Sequence, residues 1–545
     1  MLNSKNKYQS IREYAILFVT MAVFFLIYHF DVIKSGFDML PGDGGDSLLN
    51  ILAADSWQDI FRGETTLRQN RIFYPFPYGR GFTDLSLSLY LMQLPWKFFC
   101  GMDMFQSVQV VYLSLLFFGV FSLFYLLRHV LHFYFLPALA CAILTFFSNS
   151  FHVKLLHTQF FFLCLLPLLV IFVIRYCQRW NTERTISRIL YGCGAIITYA
   201  WIAYSNFYTA FFFGLSCCIY FLIYGIILLR KGKIRKLIIR ARMWEVLCLM
   251  IFGMIVFAPF LYIYMPLVHD YGRAWKDVYT TLPVFADLFN VSPRNLISGK
   301  IYREAFPSDH SNYYEFYYGL PILTVAITLF FFYKFFQDRK TFKSFYASMI
   351  LTILVLYVIS LKFGTDKSLW YFIWKYFPGG GSIRAVARIY VFMLFPLMTF
   401  IWLVINRYAK NFTSWKRTAF CGIFFLLMAV DHYNVMQLFD WKRSESVASI
   451  KQIAPPPTDM KCFYLAYSAD SYLSQYGLKA WYMARYFKTF TVNGYSGHIP
   501  VDCVVAVPGT AEYQRYINDW IRKYKLQNVY SYDPRTNEWK KIVGP

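Results

Sequence analysis

Apolar and polar positions alternate along this chain in long blocks. Eleven apolar runs, Tyr14 to about Phe30 and then near 107–127, 134–148, 158–174, 189–204, 207–229, 244–267, 317–336, 346–363, 386–406 and 418–436, each read as a membrane span. A span of about 20 apolar residues crosses the hydrocarbon of a bilayer, and a backbone in lipid must satisfy its own polar groups, which a helix does. The pattern therefore predicts an all-α polytopic membrane protein of about 11 transmembrane helices over residues 1–436. The run at 85–99 is short and broken by Pro95, so it is expected as a re-entrant or interfacial helix on the outer side.

The polar blocks set the orientation. Lys5, Lys7 and Arg12 precede the first run, and no small-residue cleavage site follows it, so it reads as a retained helix. Arg128 follows the second run, Arg175, Arg179, Arg184 and Arg188 the fourth, and Arg230, Lys231, Lys233, Arg235, Lys236, Arg240 and Arg242 the sixth. Lys334, Arg339, Lys340 and Lys343 follow the eighth, and Arg407, Lys410, Lys416 and Arg417 the tenth. Every second loop is thus basic, which is the positive-inside bias. It puts the N-terminus in the cytoplasm and the C-terminus outside. Three long segments then share the outer face: 34–106, 268–316 and 437–545.

The last of these changes character. Beyond Pro455-Pro456-Pro457, a stiff linker signal, KCFYLAY and FKTFTVNGY read as strands. Helical patterns fall at about 470–486 and 509–525, and YSYDPRTNEWKKIV reads as a hairpin. Residues 437–545 are expected to form a small α/β extracytoplasmic domain.

Composition narrows the function. Of 545 residues only 15% are charged while 58% are hydrophobic, which excludes a soluble enzyme and a disordered scaffold. The net charge of +24 would suggest nucleic acid in a soluble protein; here the inner loops account for much of it, and no nucleic-acid partner is expected. No CxxC, HExxH or Walker loop and no internal repeat occurs. Eight of the eleven cysteines lie in or beside spans as packing residues. Cys462 and Cys503 lie outside, where a disulfide between them is one option in an oxidising compartment.

Candidate chemistry gathers on the outer side. Pro41-Gly42-Asp43-Gly44-Gly45-Asp46-Ser47 follows the first span; its glycines allow a tight turn. Asp43 and Asp46 could hold a divalent cation such as Mg or Mn, or one could act as a general base, or the turn could be simply solvated. Arg384 and Arg388, preceded by Gly379-Gly380-Gly381, are four apart and on a helix would point the same way; guanidinium forks suit phosphate oxygens, or they could snorkel to the interface. His152, His157 and Gln159, with Lys154, form a polar cluster in a short outer turn, with spacing poor for zinc. Asn206 and Tyr208 sit where the fifth span turns into the sixth, to shape the turn or to line a lipid-tail groove. Asp309, His310 and Glu315 precede the eighth span as a second acidic group. Asn493, Tyr495 and His498 lie in a Gly-rich aromatic turn suited to stacking a sugar, or to strand-to-loop geometry.

These motifs resemble those of the GT-C superfamily of polytopic glycosyltransferases. The resemblance rests on the acidic motif after helix one and on Phe73-Tyr74-Pro75-Phe76-Pro77-Tyr78-Gly79 with Thr83-Asp84. It extends to His152, His157 and Gln159, to Tyr204-Ser205-Asn206-Phe207-Tyr208, to Ser382-Ile383-Arg384-Ala385-Val386-Ala387-Arg388 and to Val492-Asn493-Gly494-Tyr495-Ser496-Gly497. The layout is similar to the bacterial branch that includes O-antigen-modifying glucosyltransferases. That resemblance implies inverting transfer of a hexose, glucose foremost, from polyprenyl phosphate to a cell-surface glycan such as O-antigen, on the periplasmic face of a bacterial inner membrane. Asp46, or failing that Asp43, would be the general base. Arg384, Arg388, His152, His157 and Gln159 would bind the donor phosphate, and Asp84, Asn206, Tyr208, Glu315, Asn493, Tyr495 and His498 the substrates. A flippase, exporter or polymerase of lipid-linked glycan is the alternative. It would use the same arginines without an aspartate-dependent transfer, and a carrier would be expected to place ionisable residues near mid-bilayer.

Overall fold

Each of the eleven apolar runs contains a helix. The computed structural model describes residues 4–179, 185–232, 243–268, 271–308, 310, 313–337, 344–436, 441–469, 472–500 and 502–542. Among them eight helices are long and apolar enough to cross a membrane: Tyr8–Tyr28, Met104–Val130, Phe135–Lys154, Thr158–Gln178, Thr185–Ala203, Phe207–Arg230, Met243–Val268 and Val386–Ala409. The other three expected spans fall short for identifiable reasons. Ile322–Gln337 and Ser344–Ser360 have 16 and 17 residues, about 24–26 Å at 1.5 Å per residue. Ser414–His432 is long enough but carries Lys416, Arg417 and Asp431.

Phe135–Phe146 and Ile389–Ala409 pack against each other at the centre, with nearly every side chain enclosed, Trp402 included. The other spans are less enclosed, and Tyr8–Tyr28, Phe207–Arg230 and Met243–Val268 leave most of their apolar side chains uncovered. At one end of the bundle Arg128 pairs with Glu13 at 2.8 Å, and Arg188 pairs with Glu245 with both side chains buried. The basic residues expected at inner turns lie at this end where described; Arg184, the 233–242 group, Arg339, Lys340 and Lys343 lie outside the described residues.

At the opposite end the 85–99 run forms the helix Leu87–Cys100 around Pro95, with Phe98 and Phe99 82% and 81% exposed beside the spans. The C-terminal segment carries a four-stranded sheet of β3 (Cys462–Leu465), β4 (Phe490–Thr491), β5 (Val529–Asp533) and β6 (Glu538–Lys541), in the order β4-β3-β5-β6. β3 runs parallel to β4 and β5, and β5–β6 is the expected antiparallel hairpin. Helices Leu473–Tyr486 and Ala511–Lys523 match the two helical patterns. FKTFTVNGY forms only the two-residue β4; the Val492 amide still donates to the Phe463 carbonyl of β3 (2.9 Å), and from Asn493 on the chain turns against Phe73 of the first outer segment. Cys462 and Cys503 are both free thiols, and Cys503 accepts a hydrogen bond from the Tyr516 hydroxyl; the disulfide option is not realised.

This segment is laced to the first outer segment. The Tyr74 amide donates to the Thr491 carbonyl (3.0 Å), the Thr491 amide to the Arg71 carbonyl (2.8 Å), and Trp520 Nε1 to the Tyr74 carbonyl (2.8 Å). β1 (Met39–Leu40) pairs antiparallel with β2 (Trp441–Lys442). β1 runs directly into the acidic turn, and Trp441 of β2 donates from Nε1 to the Pro41 carbonyl at the start of that turn (3.4 Å).

Candidate functional site

The acidic turn is shaped by glycine and by its own carboxylate. Gly42 takes φ +82°, a backbone that side chains rarely tolerate. Asp43 Oδ1 accepts the amides of Gly45 (3.2 Å) and Asp46 (2.9 Å), and the helix Asp46–Asp55 starts there. Asn50, one turn on, donates to the Asp46 carbonyl (2.8 Å), to Gln159 Oε1 (2.9 Å) and to Thr158 Oγ1 (3.3 Å), which docks this helix on the 157–159 segment.

Four side chains from four parts of the chain then join in a line. Asp46 Oδ2 lies 2.6 Å from His157 Nδ1, and His157 Nε2 lies 2.7 Å from Glu315 Oε2. Glu315 Oε1 accepts from Arg388 Nε at 2.7 Å. The Arg388 guanidinium is held over the rings of Tyr208 (5.0 Å) and Phe160 (5.7 Å). Lys154 donates to the Tyr314 carbonyl (2.8 Å) and to the Glu315 carbonyl, which fixes the turn bearing the glutamate.

The charges balance. Burial opposes ionisation of Asp46, but the His157 hydrogen bond and the charges of His157 and Arg388 outweigh it, and its carboxyl sits below the usual range. Glu315, partly buried, likewise has burial against its charge yet is held well below the usual range by Arg388, Lys154 and His157. Two ionised carboxylates can only accept, so each ring nitrogen of His157 must carry a proton. Burial and Arg388 work against that imidazolium, Glu315 and Asp46 for it, and its pKa is raised on balance. The quartet is then two anions and two cations, which is how buried charge is tolerated. The line opens at Asp46, whose side chain is 26% exposed against 5% for His157.

Other candidates lie around it. Asp84 stands within electrostatic reach of Arg388 and Asp46 and takes the Phe207 amide; burial pushes it up to about 6. Asp43 is raised by burial and by Asp46. The Tyr495 phenol is raised by burial first and feels Asp46, Asp43, Arg384 and Arg388. His498 is lowered to about 4 by burial, then by Arg273 and Arg384.

Several sequence expectations change. Arg384 and Arg388 do not share a helical face: Ala385 has φ −83° and ψ 77°, Val386–Arg388 is a 3₁₀ turn, and the helix starts only at Ile389. Arg388 is buried on Glu315. Arg384 is exposed, makes no ion pair among the described residues, and has its amide held by the Tyr208 hydroxyl (3.2 Å). His152 is not part of the group; it is buried against Tyr28, with Nε2 on the Met436 carbonyl at 3.2 Å. His157 contacts carboxylates rather than a vacant phosphate position, and Glu315 contacts His157 and Arg388. Asn206 caps the helix Phe207–Arg230 and donates to the Gln159 carbonyl (2.9 Å). Asn493 is buried, accepting from the Leu465 amide (2.8 Å) and donating to Tyr513 (2.7 Å). Asp309 lies outside the described residues. His310, its neighbour, sits on Asp287 (2.7 Å) and stacks on Phe316.

A cation at Asp43 and Asp46 would find Asp43 Oδ1 and Asp46 Oδ2 already engaged. Glu315 reaches the far side of the His157 ring, and among the described residues no three His, Cys, Asp or Glu side chains converge as a metal-ligand set. We assign no metal ligand here. One residue that sequence reasoning missed is Arg273 in the second outer segment. Its amide donates to the Gly381 carbonyl (3.1 Å), its guanidinium to the Gly497 carbonyl, and it lies beside Arg384. A single arginine in YGRAW has no periodicity or partner pattern to mark it. No protein-family model matches the chain, and none of the curated proteins matches it either.

Proposed function

We propose that this protein is an integral membrane hexosyltransferase of GT-C type. It transfers a hexose, glucose foremost, from a polyprenyl-phosphate donor to a cell-surface glycan such as O-antigen. The reaction runs on the periplasmic face of a bacterial inner membrane, with the N-terminus cytoplasmic and residues 437–545 periplasmic. The observation that carries this reading is the continuous line Asp46–His157–Glu315–Arg388 at the end of the bundle that bears the acidic turn, with Asp46 as its terminal and most exposed member. A lipid-linked donor keeps its tail in the bilayer and brings its reacting carbon to that boundary.

In this reading the acceptor hydroxyl oxygen bonds to the anomeric carbon as the bond from that carbon to the phosphate oxygen breaks. The electron pair leaves on polyprenyl phosphate. The hydroxyl proton passes to Asp46, whose second oxygen is not taken by His157. A carboxylate of low pKa serves here because the hydroxyl becomes strongly acidic as its new bond forms. Arg384, exposed and unpaired among the described residues, neutralises the leaving phosphate, with Arg273 and Tyr208 beside it. Arg388 instead holds Glu315. Asp84, Tyr495 and His498 border the position of the sugar.

The test is transfer from synthetic polyprenyl-phosphoryl glucose by the purified chain in nanodiscs, scored by product mass. Asp46→Asn is expected to lower kcat by about 10²–10⁴-fold with insertion unchanged, and Arg384→Lys to weaken donor binding more than retained charge alone predicts. Full transfer by Asp46→Asn and Asp43→Asn would remove the base assignment. Movement of the lipid-linked sugar across the bilayer without transfer would replace the enzyme with a carrier.

A further inference from the structure

We propose that His157 is a positioning residue for the transfer: clamped as an imidazolium between Asp46 and Glu315, it keeps Asp46 ionised and turns the second oxygen of Asp46 toward the acceptor. This rests on the reading of Asp46 as the base and assigns His157 a role other than phosphate binding.

The geometry carries it. Both ring nitrogens are spent, Nδ1 on Asp46 Oδ2 at 2.6 Å and Nε2 on Glu315 Oε2 at 2.7 Å, so the ring has no free edge for a phosphate. The ring is packed between Phe160 and Tyr314, at 6.2 and 5.5 Å between centroids, and cannot swing out without opening that packing. Glu315 is held at its carbonyl by Lys154 and at its carboxylate by Arg388. The orientation of Asp46 is therefore set from Arg388, through two intervening side chains. An unaided carboxylate here would sit in the field of Asp43 and Asp84, both of which disfavour its charge. The groups facing His157 and Asp46 are Asp43 on the acidic turn, Asp84 on the first outer segment and Lys154 on the preceding helix. Tyr314 and Glu315 come from the second outer segment, Tyr208 from the sixth expected span, Arg384 and Arg388 from the approach to Ile389, and Tyr495 from the C-terminal turn. Of these, only Lys154, Arg384 and Arg388 are cations, and Lys154 and Arg388 are committed to Glu315 and its backbone. His157 is the cation that touches Asp46. It neither gains nor loses a proton during the transfer; the acceptor proton ends on Asp46 and leaves with product turnover.

The experiment is the pH profile of kcat/KM for glucose transfer from polyprenyl-phosphoryl glucose, for wild type, His157→Asn, Glu315→Gln and Asp46→Asn. Removing a touching cation raises a carboxylate pKa by about 1–3 units. The acid limb of His157→Asn is therefore expected to move up by that amount, with activity recovering at high pH. Glu315→Gln strips the imidazolium of one carboxylate but also removes an anion that itself raises Asp46, so its limb is expected to move less than that of His157→Asn. A purely structural loss would lower the whole profile without moving the limb. Should His157→Asn fail to fold, ¹⁵N shifts of labelled histidine in the wild-type chain decide: a doubly protonated His157 ring at pH 7.5 is expected, and a neutral ring overturns the proposal. An inactive Asp46→Asn together with an unmoved limb in His157→Asn would defeat the role of His157 and leave the base standing. Full activity of Asp46→Asn would defeat the base itself.

Discussion

Gly42 shows how little freedom the acidic turn has. A Cβ there would lie 1.8 Å from Ser47 Oγ and 2.6 Å from the Leu156 carbonyl oxygen, next to His157. The hydroxyl could rotate away but the backbone oxygen could not. Gly42→Ala is expected to cost about 1–3 kcal/mol, read as a lower unfolding temperature in detergent, and to reduce transfer by loosening Asp46 from His157. Asp84 makes the opposite trade. Burial lifts its pKa to about 6 in the folded chain, above the value near 3.9 for an unfolded one. Its ionisation therefore opposes folding, a penalty that grows as pH rises from about 4 to 6 and is full at pH 7. Asp84→Asn is expected to raise stability at pH 7 by up to about 2–3 kcal/mol while lowering transfer. Stability and activity moving down together would remove Asp84 from the sugar position.

Between elements, the first outer segment and the C-terminal segment are joined by buried charge. Arg485 from Leu473–Tyr486 reaches Asp55 and Asp59; Lys97 adds 2.6 Å to Asp55; Arg71 pairs with Asp59 at 2.8 Å and with Glu64. Burial opposes the charge of Asp55, yet Arg485 and Lys97 hold it at about 2. Its folded pKa is depressed, so its contribution is complete above about pH 4 and lost as pH falls through about 2, roughly 2–3 kcal/mol in all. Arg485→Met breaks the group from one side and is expected to cost about 3–5 kcal/mol. The measurement is thermal unfolding at pH 7, repeated at pH 3, where the difference between variant and wild type should shrink. Because the C-terminal segment also supplies Tyr495 and His498, loosening this junction is expected to lower transfer without touching Asp46.

On the scale of the whole molecule the two ends of the bundle differ in kind. One end carries paired arginines and short basic turns; the other carries the Asp46 line, the mixed sheet and the exposed Phe98 and Phe99 beside the spans. Lys410 and Glu445 are exposed at opposite ends. Cys100 is itself exposed at the Glu445 end, so the exposed native cysteines are first replaced by serine. With Lys410→Cys and Glu445→Cys in that background in intact cells, a membrane-impermeant maleimide is expected to label position 445 alone, and position 410 only after permeabilisation. Labelling of both from one side would overturn the proposed orientation.

Block hydropathy carried far: eleven apolar runs became eleven helices because a backbone out of water has few other ways to pair its amides. The local patterns for β3, for both C-terminal helices and for the β5–β6 hairpin were legible because strand and helix periods are local properties. The acidic turn stood out because glycine and aspartate mark a turn from three or four residues. What no local pattern holds is distance between residues 46, 157, 315 and 388, each on a different segment. The expected helical pairing of Arg384 with Arg388 failed because a 3₁₀ turn replaced one turn of α-helix. His157 and Glu315 took roles that only their neighbours define: a histidine becomes a fixed cation when two carboxylates close on it, and which carboxylates do so is decided by the packing of the whole bundle.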